Sequence, residues 1–158
     1  MKGYAFGNYN KGHMARAIGI DLPISLKQSV EICSYIKDKN VRETKKILHN
    51  VIEGKAAIPF KKYNRDLGHK TKIGPARYPQ KASMQILKLI EAVEANAQFK
   101  GLNTSNLVIT HISSHKSGKA WHFGRKQRRK MKRTSIEVVV EEKAVKNVES
   151  KTKQQMEK

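Results

Sequence analysis

Residues 116–133 carry nine Lys or Arg and no acid, interrupted only by small or polar residues, one Met and the Trp121-His122-Phe123 triplet. Residues 61–81 repeat the pattern more sparsely, with seven basic residues against Asp66 alone. Lys and Arg neutralise phosphates whatever the local backbone conformation, and Arg does so through two parallel hydrogen bonds. Trp, Phe and Tyr interleaved among them offer faces on which unpaired bases stack. Clustered like charges cannot form a core of their own, so an ordered segment of this kind requires something negative around it. The whole 158-residue chain agrees, with 33 basic and 13 acidic residues and a formal charge of +20.

The residues for catalysis or metal binding are not assembled in the same way. His13, His49, His69, His111, His115 and His122 form no zinc spacing signature, and Cys33 is the only cysteine available to assist them. Glu31, Glu43 and Glu53 are placed on polar helix faces and Glu141-Glu142 at a strand end, so no carboxylate set gathers a divalent ion near the basic clusters. No glycine-rich phosphate loop followed by Lys-Ser or Lys-Thr is present. We therefore expect no catalytic residue, metal or cofactor. With one cysteine, no early apolar leader and no apolar run long enough for a membrane span, the chain reads as intracellular, unprocessed and not membrane-inserted.

The elements that must position the basic clusters follow from periodicity. Leu107-Val108-Ile109-Thr110-His111-Ile112 and Ser135-Ile136-Glu137-Val138-Val139-Val140 read as strands, making residues 106–142 a hairpin with an unusually long basic connection. A helix is expected over residues 25–37, opened by a Ser25/Gln28 capping box, with Leu26, Val30, Cys33 and Ile36 on its apolar face. That phase makes Cys33 a small core residue. A second helix covers residues 41–53, capped by Asn40 and stopped by Gly54, with Thr44, Ile47, Leu48, Val51 and Ile52 inward. A third covers residues 79–99, with Pro79 at its first turn, Gly101 past its end, and Ala82, Ile86, Leu89, Ile90, Val93 and Ala97 on one face. Ala92, Ala95 and Ala97 suggest close approach of another element to its C-terminal half. Residues 56–77 read as a long loop, and residues 1–20 as a basic arm, largely disordered when free, with one strand near residues 14–18. Residues 143–158 read as a mobile tail.

The fold expected is thus α+β: three helices packed on a small antiparallel sheet, from which a long basic β-hairpin protrudes. Residues 1–142 form one domain, including the arm over 1–20 and the hairpin over 106–142. RNA is favoured over DNA because the cations sit in loops and an extended arm rather than along one helix face. The candidate contacts are Lys11 and Arg16 in the N-terminal arm. From the middle segment come Lys61, Lys62, Tyr63, Arg65, His69, Lys70, Lys72, Arg77, Tyr78 and Lys81. The hairpin adds Lys116, Lys119, Trp121, Phe123, Arg125, Lys126, Arg128, Arg129, Lys130, Lys132 and Arg133. A free-standing RNA chaperone or a nucleoid-type DNA-binding protein is the competing reading.

Specific runs carry a resemblance. They are Ala15-Arg16-Ala17, Asp21-Leu22-Pro23-Ile24-Ser25, Ala57-Ile58-Pro59-Phe60-Lys61-Lys62-Tyr63-Asn64-Arg65, Gly68-His69-Lys70, Arg77-Tyr78-Pro79-Gln80-Lys81-Ala82, Glu94-Ala95-Asn96-Ala97-Gln98-Phe99-Lys100-Gly101-Leu102 and Arg133-Thr134-Ser135-Ile136-Glu137-Val138. In this order they resemble the archaeal and eukaryotic branch of the large-subunit ribosomal protein twenty-two family. The resemblance implies an α+β base on the surface of the large ribosomal subunit in the cytoplasm, with no catalytic residues. It implies a hairpin reaching through ribosomal RNA to the wall of the peptide exit tunnel. The partners it implies are large-subunit ribosomal RNA, neighbouring ribosomal proteins and the nascent polypeptide, with no homo-oligomer. The arm is several residues shorter than is usual in that branch, and its tip lacks the usual proline.

Overall fold

The computed structural model describes residues 3–143. In chain order the elements are β1 (Met14–Leu22), α1 (Leu26–Ile36), α2 (Val41–Ile52), β2 (Ile58–Pro59), β3 (His69–Lys70), β4 (Gly74–Arg77), α3 (Gln80–Phe99), β5 (Leu107–Lys116) and β6 (Thr134–Glu142). An antiparallel sheet of order β1-β6-β5 carries the helices on one face, and a second small sheet has the order β2-β4-β3. The fold is the expected α+β arrangement of three helices on antiparallel sheet. The tail expected over residues 143–158 lies outside the described residues apart from Lys143.

The core forms where α3 crosses β1 and β6 and packs against α2, while α1 covers β5. All six residues expected on the inner face of α3 are buried, with Ile86, Ile90, Val93 and Ala97 fully so. Ala92 and Ala95 face solvent, so only Ala97 gives the close approach. Gly101 ends the helix at φ +76°, a left-handed conformation that costs a glycine little. In α2 the Asn40 side chain accepts from the Arg42 backbone N–H at 2.9 Å, as expected of its N-cap. Thr44, Leu48 and Val51 are buried, and Ile47 and Ile52 half-buried.

Two helix expectations need correction. Ser25 occupies the N-cap of α1 with extended backbone, but its side chain makes no capping bond; instead its carbonyl accepts from the Ser29 hydroxyl at 2.9 Å. The buried set of α1 is Ser29, Glu31, Ile32, Cys33 and Ile36, so Leu26 and Val30 are only half-buried and the inner face is rotated. Cys33 is core as expected, and burial pushes its thiol up to about 12, which keeps it protonated and unreactive at neutral pH.

The hairpin strands pair from Leu107↔Glu142 to Lys116↔Thr134. Leu107 and Ile109 point inward, yet the next buried apolar residue is Ile112, which breaks a period of two. A bulge between Ile109 and His111 absorbs the extra residue. There the α1–α2 link covers the edge of β5, with Asp38 N–H donating to the Ile109 carbonyl and Ile109 N–H to the Lys39 carbonyl, each at 3.0 Å.

Residues 56–77 are not a plain loop. Three short strands fold them into a sheet, with Ile58↔Arg77 and Lys70↔Gly74 in register. Pieces of two to four residues carry no readable periodicity, which is why turn signals dominated the sequence pattern.

The N-terminal arm is also more structured than expected. Its strand runs on to Leu22, and Ala5 and Phe6 ahead of it reach the face of the sheet that carries Glu137 and His111. The reason is Glu137, on the central strand and only 1% exposed. One carboxylate oxygen accepts from Ala5 N–H at 2.8 Å; the other accepts from the Ser113 hydroxyl at 3.1 Å and meets His111 Nε2 at 2.7 Å. Phe6 packs on His111 with ring centroids 4.9 Å apart, and the Arg16 guanidinium sits between the rings of Tyr4 and Tyr9 at 4.1 and 4.2 Å. Burial raises the Glu137 pKa, but the hydrogen bonds from Ala5, His111 and Ser113 outweigh it and hold the carboxyl below its ordinary value. A depressed carboxylate stabilises the fold at pH values above the ordinary range, about 4.3, and loses that contribution as pH falls through its folded value. We therefore expect Glu137→Gln to lower the denaturation midpoint at pH 7, with the gap to wild type closing below pH ~4. A gap independent of pH would show that the carboxylate charge holds nothing in place.

Candidate nucleic-acid interface

Beyond Lys116 and Thr134 the hairpin continues as a thin ribbon held by few bonds. Ser117 and Ser135 hydroxyls meet at 2.6 Å, Met131 N–H donates to the Ala120 carbonyl at 2.8 Å, and His122 N–H to the Arg129 carbonyl at 2.8 Å. Trp121 pairs with Lys130, and a single 3₁₀ turn at Gly124–Lys126 closes the tip, with Gly124 at φ +68°. Residues 118–130 are exposed except for half-buried His122, so the ribbon has no core and presents its cations to whatever surrounds it. Lys130 Nζ lies 4.4 Å over the Trp121 ring and occupies one of its faces, whereas Phe123 is 86% exposed. Of the two tip aromatics, Phe123 has the more open ring for stacking.

The second basic segment is fixed by the other unexpected acid. Glu31, assigned above to a polar helix face, is 3% exposed. Its carboxylate accepts from the backbone N–H groups of Lys61 at 3.0 Å, Lys62 at 2.8 Å and Tyr63 at 2.7 Å. Three converging donors satisfy the buried charge, and in return set the path of the chain so that the Lys61 and Lys62 side chains face solvent. Glu31→Ala strands those donors and should cost about 2–4 kcal/mol, since hydrogen bonds to a charged group are individually worth about 1.5–3 kcal/mol. Chemical denaturation measures the loss, and a wild-type midpoint would show that the segment is held by other means.

The structure brings the root of the hairpin and the middle segment together. Lys116, Lys119, Lys132 and Arg133 from the hairpin face Tyr63 and Arg77 across a cleft of about 580 Å³, floored by the start of α1. Arg133 is oriented by donating to the Asp21 carbonyl at 3.2 Å. Lys81 and Lys132 line a smaller depression beside it. Arg65, His69, Lys70 and Lys72 are exposed on or near the small sheet, as is Tyr78, with Lys70 Nζ 5.5 Å from its ring centroid. The tip cations Arg125, Lys126, Arg128, Arg129 and Lys130 stand apart from the cleft on the ribbon. Lys11 is exposed on the N-terminal arm, and the flat faces of Arg16 are covered by the two tyrosines. Sequence reasoning missed Lys27, which lines the cleft from the first turn of α1 with its Nζ 5.7 Å from the Tyr63 ring centroid. A signal existed: α1 has no acid in its first turn, the end where the helix dipole favours negative charge.

Among the described residues the acids that form ion pairs with lysines do so with Lys39, Lys45 and Lys55, all on the base, and none pairs with a Lys or Arg of residues 116–133. No group of three or more His, Cys, Asp or Glu suited to a metal ion occurs among them, and no helix is long and apolar enough to cross a membrane. The fold and its surface thus define an α+β protein whose base carries a basic cleft and a protruding basic ribbon.

Comparisons with known proteins identify the family. The model of the family described as ribosomal protein L22p/L17e matches residues 17–141. The large ribosomal subunit protein uL22 of Archaeoglobus fulgidus is 39% identical over 146 residues, covering 87% of this chain and 94% of that protein. Those of Staphylothermus marinus and Thermoplasma acidophilum are 40% identical over 151 residues and 42% over 119, covering 88% and 73% of this chain and 96% and 76% of theirs. The chain belongs to the ribosomal protein L22p/L17e family, which is structural and non-enzymatic.

Proposed function

We propose that this chain is a structural constituent of the large ribosomal subunit in the cytoplasm, where it binds ribosomal RNA, supports subunit assembly and contributes its hairpin to the wall of the peptide exit tunnel. One observation carries the reading. Nine Lys and Arg stand over residues 116–133 with no acid among them, and none of the nine forms an ion pair with a carboxylate of the described residues. Such a ribbon keeps a defined shape only inside a complementary anionic socket, and folded RNA supplies one. Residues 1–142 act as one RNA-binding unit. The base docks through the middle segment, and the ribbon passes inward with Arg125, Arg128 and Arg129 on phosphates and Phe123 or Trp121 on an unpaired base. Neighbouring ribosomal proteins adjoin the base, and the nascent polypeptide passes the tip. A free-standing RNA chaperone or a DNA-compacting protein explains a single ribbon on a rigid base less simply than one fixed socket does.

Sedimentation and RNA probing test this together. The intact protein should travel with the large subunit at one copy each; recovery mainly at the top of the gradient overturns the assignment. Replacing residues 116–132 with a short turn should leave the base folded, since the segment contributes to the core only the small side chain of Ser117. The shortened protein should still enter subunits but lose a subset of ribosomal RNA protections deep in the particle. If its protections match those of the intact protein throughout, the ribbon does not reach the interior and the tunnel role fails.

A further inference from the structure

The root of the hairpin borders a half-open cleft where the ribbon beyond it is exposed, and the size of the cleft falls within the roughly 300–1,000 Å³ range of sites that hold a small ligand. We propose that it seats a single unpaired nucleotide of the bound RNA, with the phosphate among Lys119, Lys132 and Arg133 and the base against Tyr63. This rests on the RNA-binding reading above and specifies which kind of RNA element the root of the hairpin takes.

Three features converge on that ligand. The charge is one-sided: cations from α1, β4, the end of β5 and the connection between β5 and β6 meet here, and no carboxylate lines the cleft. Like charges gathered from separate elements repel one another, and a phosphate relieves the repulsion where solvent alone does so weakly. The start of α1 adds to the positive field, because Ser25 forms no side-chain cap, the first turn has no acid, and Lys27 stands in it. The second feature is an aromatic wall. Tyr63 is half-buried, Lys27 and Lys62 ammonium groups lie 5.7 and 5.9 Å from its ring centroid, and buried Ile24 and Phe60 line the cleft beside it. A base stacked there gains both apolar contact and neighbouring positive charge. The third is rigidity: Glu31 holds the Tyr63 backbone at 2.7 Å and the Asp21 carbonyl holds the Arg133 guanidinium, so both walls are set before RNA arrives. A duplex does not fit these features, since its bases are stacked inside and its recognition relies on a wide, shallow groove.

The test uses full-length protein bound to full-length large-subunit ribosomal RNA. Ultraviolet cross-linking followed by mass spectrometry should place a nucleotide adduct on Tyr63. Tyr63→Leu should weaken RNA binding about 5- to 150-fold, the range for loss of one base–aromatic stack, and should re-expose one unpaired base to chemical modification. Tyr63→Phe, which keeps the ring, should restore both. Should Tyr63→Leu fail to fold, the exposed pair Lys119→Ala and Lys132→Ala should re-expose the same base. Wild-type binding with unchanged base reactivity in these variants overturns the seat while leaving RNA binding intact. Failure of the unaltered protein to bind the RNA overturns the underlying reading instead. In purified large subunits, a peptide cross-linked to Tyr63 in place of a nucleotide assigns the cleft to an acidic protein segment and also overturns the proposal.

Discussion

Affinity for large-subunit ribosomal RNA is expected to fall by about 10³–10⁵ between roughly 50 and 200 mM salt, the drop that accompanies roughly six to ten phosphate contacts on a duplex. The structure presents more exposed cations than that count requires. The ribbon alone offers nine cations, none held by an acid among the described residues, and the middle segment adds exposed Lys61, Lys62, Arg65, Lys70, Lys72 and Arg77. A cation already paired to a carboxylate releases fewer counterions on binding, so the free state of these groups is what makes the slope steep. Arg16 is expected to contribute less, because Tyr4 and Tyr9 cover its flat faces. Filter binding over that salt range gives the slope, and each ribbon Lys→Ala should lower it by about one. A nearly flat log–log plot would show that phosphates do not dominate the interface.

The second large effect concerns the base. Ile90→Asp is expected to cost more than about 3 kcal/mol, a large share of the roughly 5–15 kcal/mol that holds a typical domain together. Ile90 is fully buried on the inner face of α3, among residues of the core cluster such as Ala15, Ile86, Val93 and Val138. An aspartate there meets no donor to replace water, so it must stay charged without solvation or take up a proton, and either route penalises the folded state. Ile90→Val removes one methylene and should cost only about 0.5–1.5 kcal/mol. Chemical denaturation of the three proteins separates the outcomes. Equal midpoints for Ile90→Asp and wild type would mean that α3 does not face the sheet as described. Loss of the base should also abolish the cleft, because both of its walls are anchored to α1 and β1.

The reach of sequence reasoning followed the range of the interactions involved. The two hairpin strands, the Asn40 cap of α2 and the inner face of α3 were all legible, because each depends on periodicity or on hydrogen bonds between residues a few positions apart. Net charge and its clustering pointed to a polyanion without any structure, since Coulombic repulsion among unneutralised cations needs no geometry to be recognised. The ordered runs between Ala15 and Val138 carried the family. What composition left open was decided by contacts between distant parts of the chain. Glu31 looked like a solvated helix residue because the Lys61, Lys62 and Tyr63 N–H groups that draw it inward are about thirty positions away. The N-terminal arm looked free because Glu137, which receives its Ala5 N–H, lies 132 residues downstream. The cleft was invisible for the same reason. Its cations belong to α1, β4, the end of β5 and the connection between β5 and β6, which only tertiary packing makes neighbours, and no local pattern records that Lys27 and Lys132 will face one cavity.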